Sequence, residues 1–272
     1  MIIDTHTHVV SADEERYPLQ CSPTEAADPT SWPLHARVTA EELAAEMRAC
    51  GVDRACLVQG WAAYRFDNRY TLQAAESDPS RFVSVCALDT QDPQAAARLE
   101  AMAAHQRLRG VRLVSGFIGA GDGLASAGAQ QVWDAADRIG LVVVAFTLGN
   151  QLESLAEAAR RHGDHPVVLD HCGFVDVVKD FERLDPLARL EHVYLKVSTR
   201  VLNQGQPAHT VRRLADRFGA GRLMWGSDFP ASHDRSYREW VALARAGAGR
   251  LSEDETDQFL GGTALQLWPE LA

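Results

Sequence analysis

The strongest constraint on the fold of this chain is an alternation kept up along its whole length: short, continuously apolar runs separated by segments with helical periodicity. The runs are Ile2 to His8, Arg54 to Gln59, Phe82 to Leu88, Gly110 to Val114, Leu141 to Phe146, Val167 to Asp170, Val193 to Val197 and Leu223 to Trp225. Between them lie amphipathic stretches such as 40–50, where Thr39 followed three residues on by Glu42 forms the reciprocal cap of a helix N-terminus. Others span about 67–77, 93–105, 130–139, 152–161 and 210–218. Strands that are apolar on both faces belong to parallel sheets covered by helices. Eight of them, each followed by helix, predict a closed (β/α)8 barrel of the α/β class. An open doubly wound sheet more often carries a Gly-rich phosphate loop after its first strand, whereas here that position reads His6-Thr7-His8. No repeat, low-complexity tract or linker divides the 272 residues, so one TIM-barrel domain over 1–272 is expected. The least regular stretch, about 11–38, holds Pro18, Pro23, Pro29 and Pro33 and reads as a long loop on the face where barrels do chemistry.

In a barrel, functional groups sit where strands end and loops begin. His6 and His8, two apart on a strand, present two imidazoles on one side, with Asp4 on the same parity. Such a pair suits a metal or the polarising of a substrate oxygen. Strand two ends in Gln59 with Trp61 and Tyr64 beyond, and strand four carries Arg112. Strand six ends in Asp170-His171, strand seven offers Lys196, Ser198 and Arg200, and strand eight ends in Gly226-Ser227-Asp228-Phe229-Pro230. Taken singly, each has an ordinary explanation: Asp228 as a helix cap, His171 as a core histidine, Arg112 in a structural ion pair. Their convergence on one rim predicts a shared site. Trp32, Trp61, Tyr64 and Phe229 are candidates for its apolar walls.

Charge narrows the partners. Lys+Arg 27 against Asp+Glu 37 gives a net −10 without a basic block, which argues against nucleic acid, although a few local arginines still suit a small anionic substrate. The five Cys are odd in number and contain no C-x-x-C, as expected of reduced thiols in a cytoplasm rather than a disulfide framework or structural zinc. No run of 18 apolar residues and no basic, apolar leader is seen, so a soluble cytoplasmic protein without membrane contact is expected. Self-association into a homo-oligomer stays open.

Eight segments carry a family likeness: Asp4-Thr5-His6-Thr7-His8, Leu57-Val58-Gln59, Asp67-Asn68-Arg69-Tyr70, Arg109-Gly110-Val111-Arg112-Leu113, Leu169-Asp170-His171-Cys172-Gly173, Leu195-Lys196-Val197-Ser198, Leu223 to Pro230 and Gly261-Gly262-Thr263-Ala264. With these the chain resembles the amidohydrolase superfamily, and within it the amidohydrolase 2 branch that includes 2-pyrone-4,6-dicarboxylate lactonase and related sugar or aromatic-pathway lactonases. The resemblance implies hydrolysis at a carbonyl, with Asp228 as the base that activates water and His6, His8 and His171 around the carbonyl oxygen. Arg112, Arg200, Gln59, Trp61, Tyr64 and Asn68 are the expected substrate-binding set, and a carboxylated or sugar-acid lactone the expected substrate.

The chain departs from most metal-dependent members in two ways. Thr147 stands about where strand five usually offers a His ligand, and strand four has Arg112 in place of a residue able to bridge two metals. A binuclear centre is therefore not expected, and metal-free hydrolysis with no required cofactor is the first expectation, an arginine being unfavourable beside a cation. The alternative is a mononuclear zinc-dependent amidohydrolase or decarboxylase on the same barrel, with His6, His8 and Asp228 as ligands. Past strand seven the chain reads Thr199-Arg200 where relatives have Gly, an aromatic and Arg, which leaves Arg200 to stand in for the usual substrate arginine. A barrel reduced to ligand binding is disfavoured by the presence of Asp228.

Overall fold

The computed structural model describes residues 1–115 and 123–272. Eight parallel strands follow one another in chain order: β1 (Ile3–Thr7), β2 (Arg54–Val58), β3 (Phe82–Ala87), β4 (Leu108–Val114), β5 (Val142–Phe146), β6 (Val167–Leu169), β7 (Val193–Ser198) and β8 (Leu223–Gly226). The ring closes between β8 and β1 through a parallel bridge of Thr7 with Phe229. There Asp228 N donates to His6 O and His8 N to Phe229 O, each at 2.8 Å. The expected (β/α)8 barrel is thus the observed architecture, nearly closed, with this bridge joining its first and last strands.

Helices Ala40–Cys50, Arg69–Ser77, Ala95–Met102, Ala127–Arg138, Leu152–Arg161, Pro207–Phe218 and Tyr237–Gly247 cover the outside. The first is capped as its sequence predicts, by Thr39 and Glu42, and ends at left-handed Gly51. Tyr237–Gly247, absent from the predicted segments, carries the same signal in Ser236 and Glu239. The long loop after β1 contains two short helices, Pro23–Ala27 and Trp32–His35. Among the described residues no helix is long and apolar enough to cross a membrane.

Two apolar layers result. Inside the barrel Ile3, Cys56, Val58, Val83, Val85, Val142, Val144, Val168 and Met224 pack together, with Trp268 and Leu271 closing the end where the strands begin. The opposite parity, including Leu57, Val143, Leu169, Leu195 and Leu223, packs under the helices.

Alternation breaks once in β1. Its register against β2 passes from Asp4 opposite Ala55 to Thr7 opposite Leu57, three steps against two. The extra residue of this bulge reverses the parity of the strand. Ile3 therefore points inward, Asp4 turns to the outer layer and accepts from Tyr237 Oη at 3.0 Å, and His6 is inside again. The expectation that Asp4 shares the side of His6 and His8 fails for this reason. Asp4 instead staples β1 to the exit of β8, accepting from Ser227 N at 2.8 Å and His6 N at 3.1 Å.

β8 approaches β1 so closely that a Cβ on Gly226 would stand 2.6 Å from His6 Cβ and 3.0 Å from His6 N. Gly226→Ala is expected to destabilise the barrel by about 1–3 kcal/mol through this overpacking, read as a lowered denaturant midpoint. An unchanged midpoint would show that the seam has room to spare.

Candidate active site

Asp228, just beyond β8, turns its carboxylate into the barrel mouth from a left-handed backbone conformation with φ 60°. Three imidazole Nε2 atoms converge on its Oδ1: His8 at 3.4 Å, His6 at 3.7 Å and His171 at 3.9 Å. All four residues are buried. Asp228 Oδ2 accepts from Arg200 Nε and from Ser232 Oγ. Each ring is held from behind through Nδ1, which lies 2.8 Å from Val58 O in His8, 2.8 Å from Ser198 Oγ in His171 and 3.2 Å from Asp170 Oδ1 in His6. A carbonyl only accepts, so His8 carries its proton on Nδ1 and presents the lone pair of Nε2 to Asp228.

His171 opens a run of left-handed residues, His171 (φ 53°), Cys172 (φ 50°), Gly173 (φ 66°) and Phe174 (φ 54°). Such a conformation costs a non-glycine residue about 1–3 kcal/mol and persists only where surroundings impose it. Here the Ser198 contact and burial of Cys172 impose it, and both His171 and Phe174 are brought to the mouth.

Burial dominates the ionisation of the rings. It pushes His171 down to about 4 and His6 well below the usual imidazole range, so both are neutral near pH 7. Burial alone would raise Asp228, but the imidazoles gathered around it and the Arg200 guanidinium outweigh it and hold the carboxyl well below its ordinary value. The site thus sets the neutral imidazoles of His6 and His171 beside an ionised carboxylate.

One tier below lies Asp170, fully buried. Its Oδ1 is 3.1 Å from Lys196 Nζ, and its Oδ2 accepts from Arg112 Nε at 2.8 Å. Burial would raise this carboxyl too, and Lys196, His6 and Arg112 together keep it far below the usual range. The Arg112 guanidinium lies 3.8 Å over the Phe146 ring.

Above these residues opens a cavity of about 230 Å³ lined by His8, Trp32, Trp61, Ala62, Arg112, Phe146, His171, Phe174, Arg200, Asp228 and Ala231. Trp32, carried in by the long loop, stacks on His8 with centroids 5.3 Å apart. Arg112, Arg200 and Trp61 therefore meet His8, His171 and Asp228 around one space. Gln59, Tyr64 and Asn68 do not line it. Gln59 donates to Arg65 O and Asp67 O and accepts from Thr71 Oγ1. Asn68 accepts from Ala87 N and donates to Ala87 O and Phe66 O, and Tyr64 Oη accepts from Ser11 N. These three side chains satisfy backbone groups of the loops around the site, which buried backbone requires. Phe229 packs on Tyr237 at 5.2 Å instead of forming a wall. Phe146 and Phe174 are walls that sequence reasoning missed. Phe146 shares the inward parity of Val142 and Val144, a usable signal, whereas Phe174 arrives only through the left-handed turn. A larger groove of about 940 Å³ lies outside the barrel between Arg69–Ser77 and Ala95–Met102, away from the three histidines and Asp228.

The donor set can be tested against a metal. Ligand atoms of a tetrahedral zinc site with bonds of about 2.0–2.1 Å stand about 3.3–3.4 Å apart. The Nε2 atoms of His8 and His6 lie 3.4 and 3.7 Å from Asp228 Oδ1, and all three ligand atoms fall within 4.8 Å of one another. His6 Nε2 is buried and has no hydrogen-bond partner among the described residues. A lone pair aimed at a carboxylate is repelled unless a cation or proton lies between, so these residues fit one divalent ion. The two observations that spoke against a metal lose their force. Arg112 donates to Asp170, a tier below Asp228, and neither it nor Thr147, buried beyond β5, belongs to the ligand group. The expectation of a site without cofactor is revised accordingly: the geometry favours its alternative.

Comparison with known proteins shows the family of the chain. The amidohydrolase family profile matches residues 3–269. The chain is 26% identical over 234 residues, 80% of each chain, to a Burkholderia ambifaria protein named L-fucono-1,5-lactonase. The crystal structure of an amidohydrolase from Burkholderia multivorans with bound zinc is 25% identical, covers 99% of both chains and superposes with a TM-score of 0.78. A Pseudomonas putida protein provisionally described as a 2-pyrone-4,6-dicarboxylic acid hydrolase shares the fold with a TM-score of 0.79 at 24% identity, over 100% of this chain and 98% of that one.

Proposed function

The chain belongs to the amidohydrolase family, and from that premise we propose that it hydrolyses the ester bond of a small lactone, with one zinc ion held by His6, His8 and Asp228. The observation that carries this reading is the convergence of three imidazole Nε2 atoms on one ionised carboxylate at the mouth of a small cavity. The lactonase name of a relative and the zinc bound by another support it. When bound, the ion supplies Lewis acidity and a lowered pKa for water.

The chain's own residues do the rest. Asp228 accepts the proton of the attacking water and returns it to the ring oxygen as the C–O bond breaks, leaving a hydroxy acid. His171, neutral and braced by Ser198, directs its Nε2 to the same space and positions the water. Trp32, Trp61, Phe146 and Phe174 pack against the ring faces and exclude bulk water. The volume, about 230 Å³, is below the roughly 300–1,000 Å³ of pockets for drug-sized ligands and suits a single small ring.

Asp170 is shared by Lys196 and Arg112, so one positive charge at the base of the cavity is left over, and the Arg112 terminal nitrogens make no hydrogen bond among the described residues. This supports a substrate carrying a carboxylate, such as a sugar-acid or carboxylated-ring lactone. A panel of such lactones, followed by pH-stat for ring opening, is expected to yield turnover, with a free acid exceeding its methyl ester about tenfold in kcat/KM. Release of CO2 without ring opening would overturn the reaction class. Equal kcat/KM for acid and ester would remove Arg112 from substrate recognition.

A further inference from the structure

Lys196 and Asp170 are buried ionisable residues that the proposed hydrolysis does not use directly. Neither lines the cavity, and Lys196 is fully enclosed at the base of the site. An ammonium in such a place is costly unless paired, and its partner is Asp170 Oδ1 at 3.1 Å. The same oxygen lies 3.2 Å from His6 Nδ1, while Lys196 Nζ is 3.4 Å from that nitrogen. Two tautomers of His6 are therefore conceivable. With the proton on Nε2, that buried donor would lack a partner, Nδ1 would take its hydrogen bond from Lys196, and Asp170 Oδ1, which has no other hydrogen-bond partner among the described residues, would stay unsatisfied. With the proton on Nδ1, it meets an anionic acceptor, and the Nε2 lone pair is presented to Asp228. The second arrangement leaves no donor stranded.

We infer that Asp170 is a positioning residue that fixes the tautomer and ring orientation of His6, with Lys196 as the buried counterion that holds the Asp170 carboxylate in place. The inference rests on the proposed metal site for its consequence, since a preset Nε2 lone pair is what a metal requires. Asp170 also spaces the two halves of the site: its second oxygen holds Arg112, so one carboxylate ties a metal ligand on β1 to the substrate-facing guanidinium on β4.

The test begins with the wild-type chain, freed of metal and labelled with 15N-histidine. The imidazole 15N shifts of His6 are expected to show the proton on Nδ1, and a proton on Nε2 would overturn the assignment without any substitution. In Asp170→Asn the amide oxygen goes to the charged Arg112 and the NH2 faces His6, so the tautomer should flip to Nε2–H. Zinc affinity, read by competition with a chromogenic chelator, should then fall about 10–100-fold. Because Asp170→Asn leaves Lys196 unpaired, the double variant Asp170→Asn/Lys196→Met restores the charge balance. It is expected to regain folding stability but not zinc affinity. A double variant that binds zinc like wild type would reduce the pair to a structural role. If the wild type itself binds no zinc, the metal site is refuted, while the tautomer measurement still decides the role of Asp170.

Discussion

Asp228→Asn is expected to lower kcat by about 10²–10⁴ with zinc saturating, a loss of about 3–5 kcal/mol of transition-state stabilisation. The substitution keeps the shape of the side chain and an oxygen for Arg200 and Ser232, whose bonds reach Oδ2, so the mouth of the barrel should keep its form. What disappears is the anionic Oδ1 on which His6, His8 and His171 converge. An amide cannot take a proton from water at neutral pH, and as a neutral ligand it also holds a cation less well. Zinc content must therefore be measured alongside turnover, so that lost chemistry is separated from lost metal. A zinc-loaded variant retaining more than a tenth of wild-type kcat would remove Asp228 as the base.

Stripping the protein of metal should reduce turnover at least about 10²-fold, with recovery complete at one zinc per chain. The stoichiometry follows from the ligand group, which comprises His6, His8 and Asp228 and, among the described residues, includes none placed to bridge a second ion. Three protein ligands with a position left open is the pattern of catalytic rather than structural zinc. Elemental analysis of the apo protein, followed by titration of kcat with zinc, provides the measurement. Metal-free protein with full turnover would return the site to direct carbonyl polarisation by its histidines and Arg112. Recovery only at two equivalents would point to a second ion.

The sequence by itself determined the barrel, because a run apolar on both faces or an amphipathic helix is a local property, written in the spacing of a few neighbouring residues. It also marked most of the rim, since residues at the ends of barrel strands face a common space whatever the loops do: His8, His171, Asp228, Arg112 and Arg200 all meet there. Other matters were settled only by contacts between segments far apart in the chain. One bulge in β1 sends Asp4 outward, although a two-residue period would place it beside His6. Gln59 and Asn68 have the same side chains whether they bind a substrate or a loop backbone, and the folded loops assign them to the backbone. Arg112 reads as a free positive charge until Asp170, 58 residues away, is found 2.8 Å from it. Such pairings decide whether the site tolerates a cation. Electrostatic energy depends on separation and burial, and both exist only once the chain has closed into its barrel.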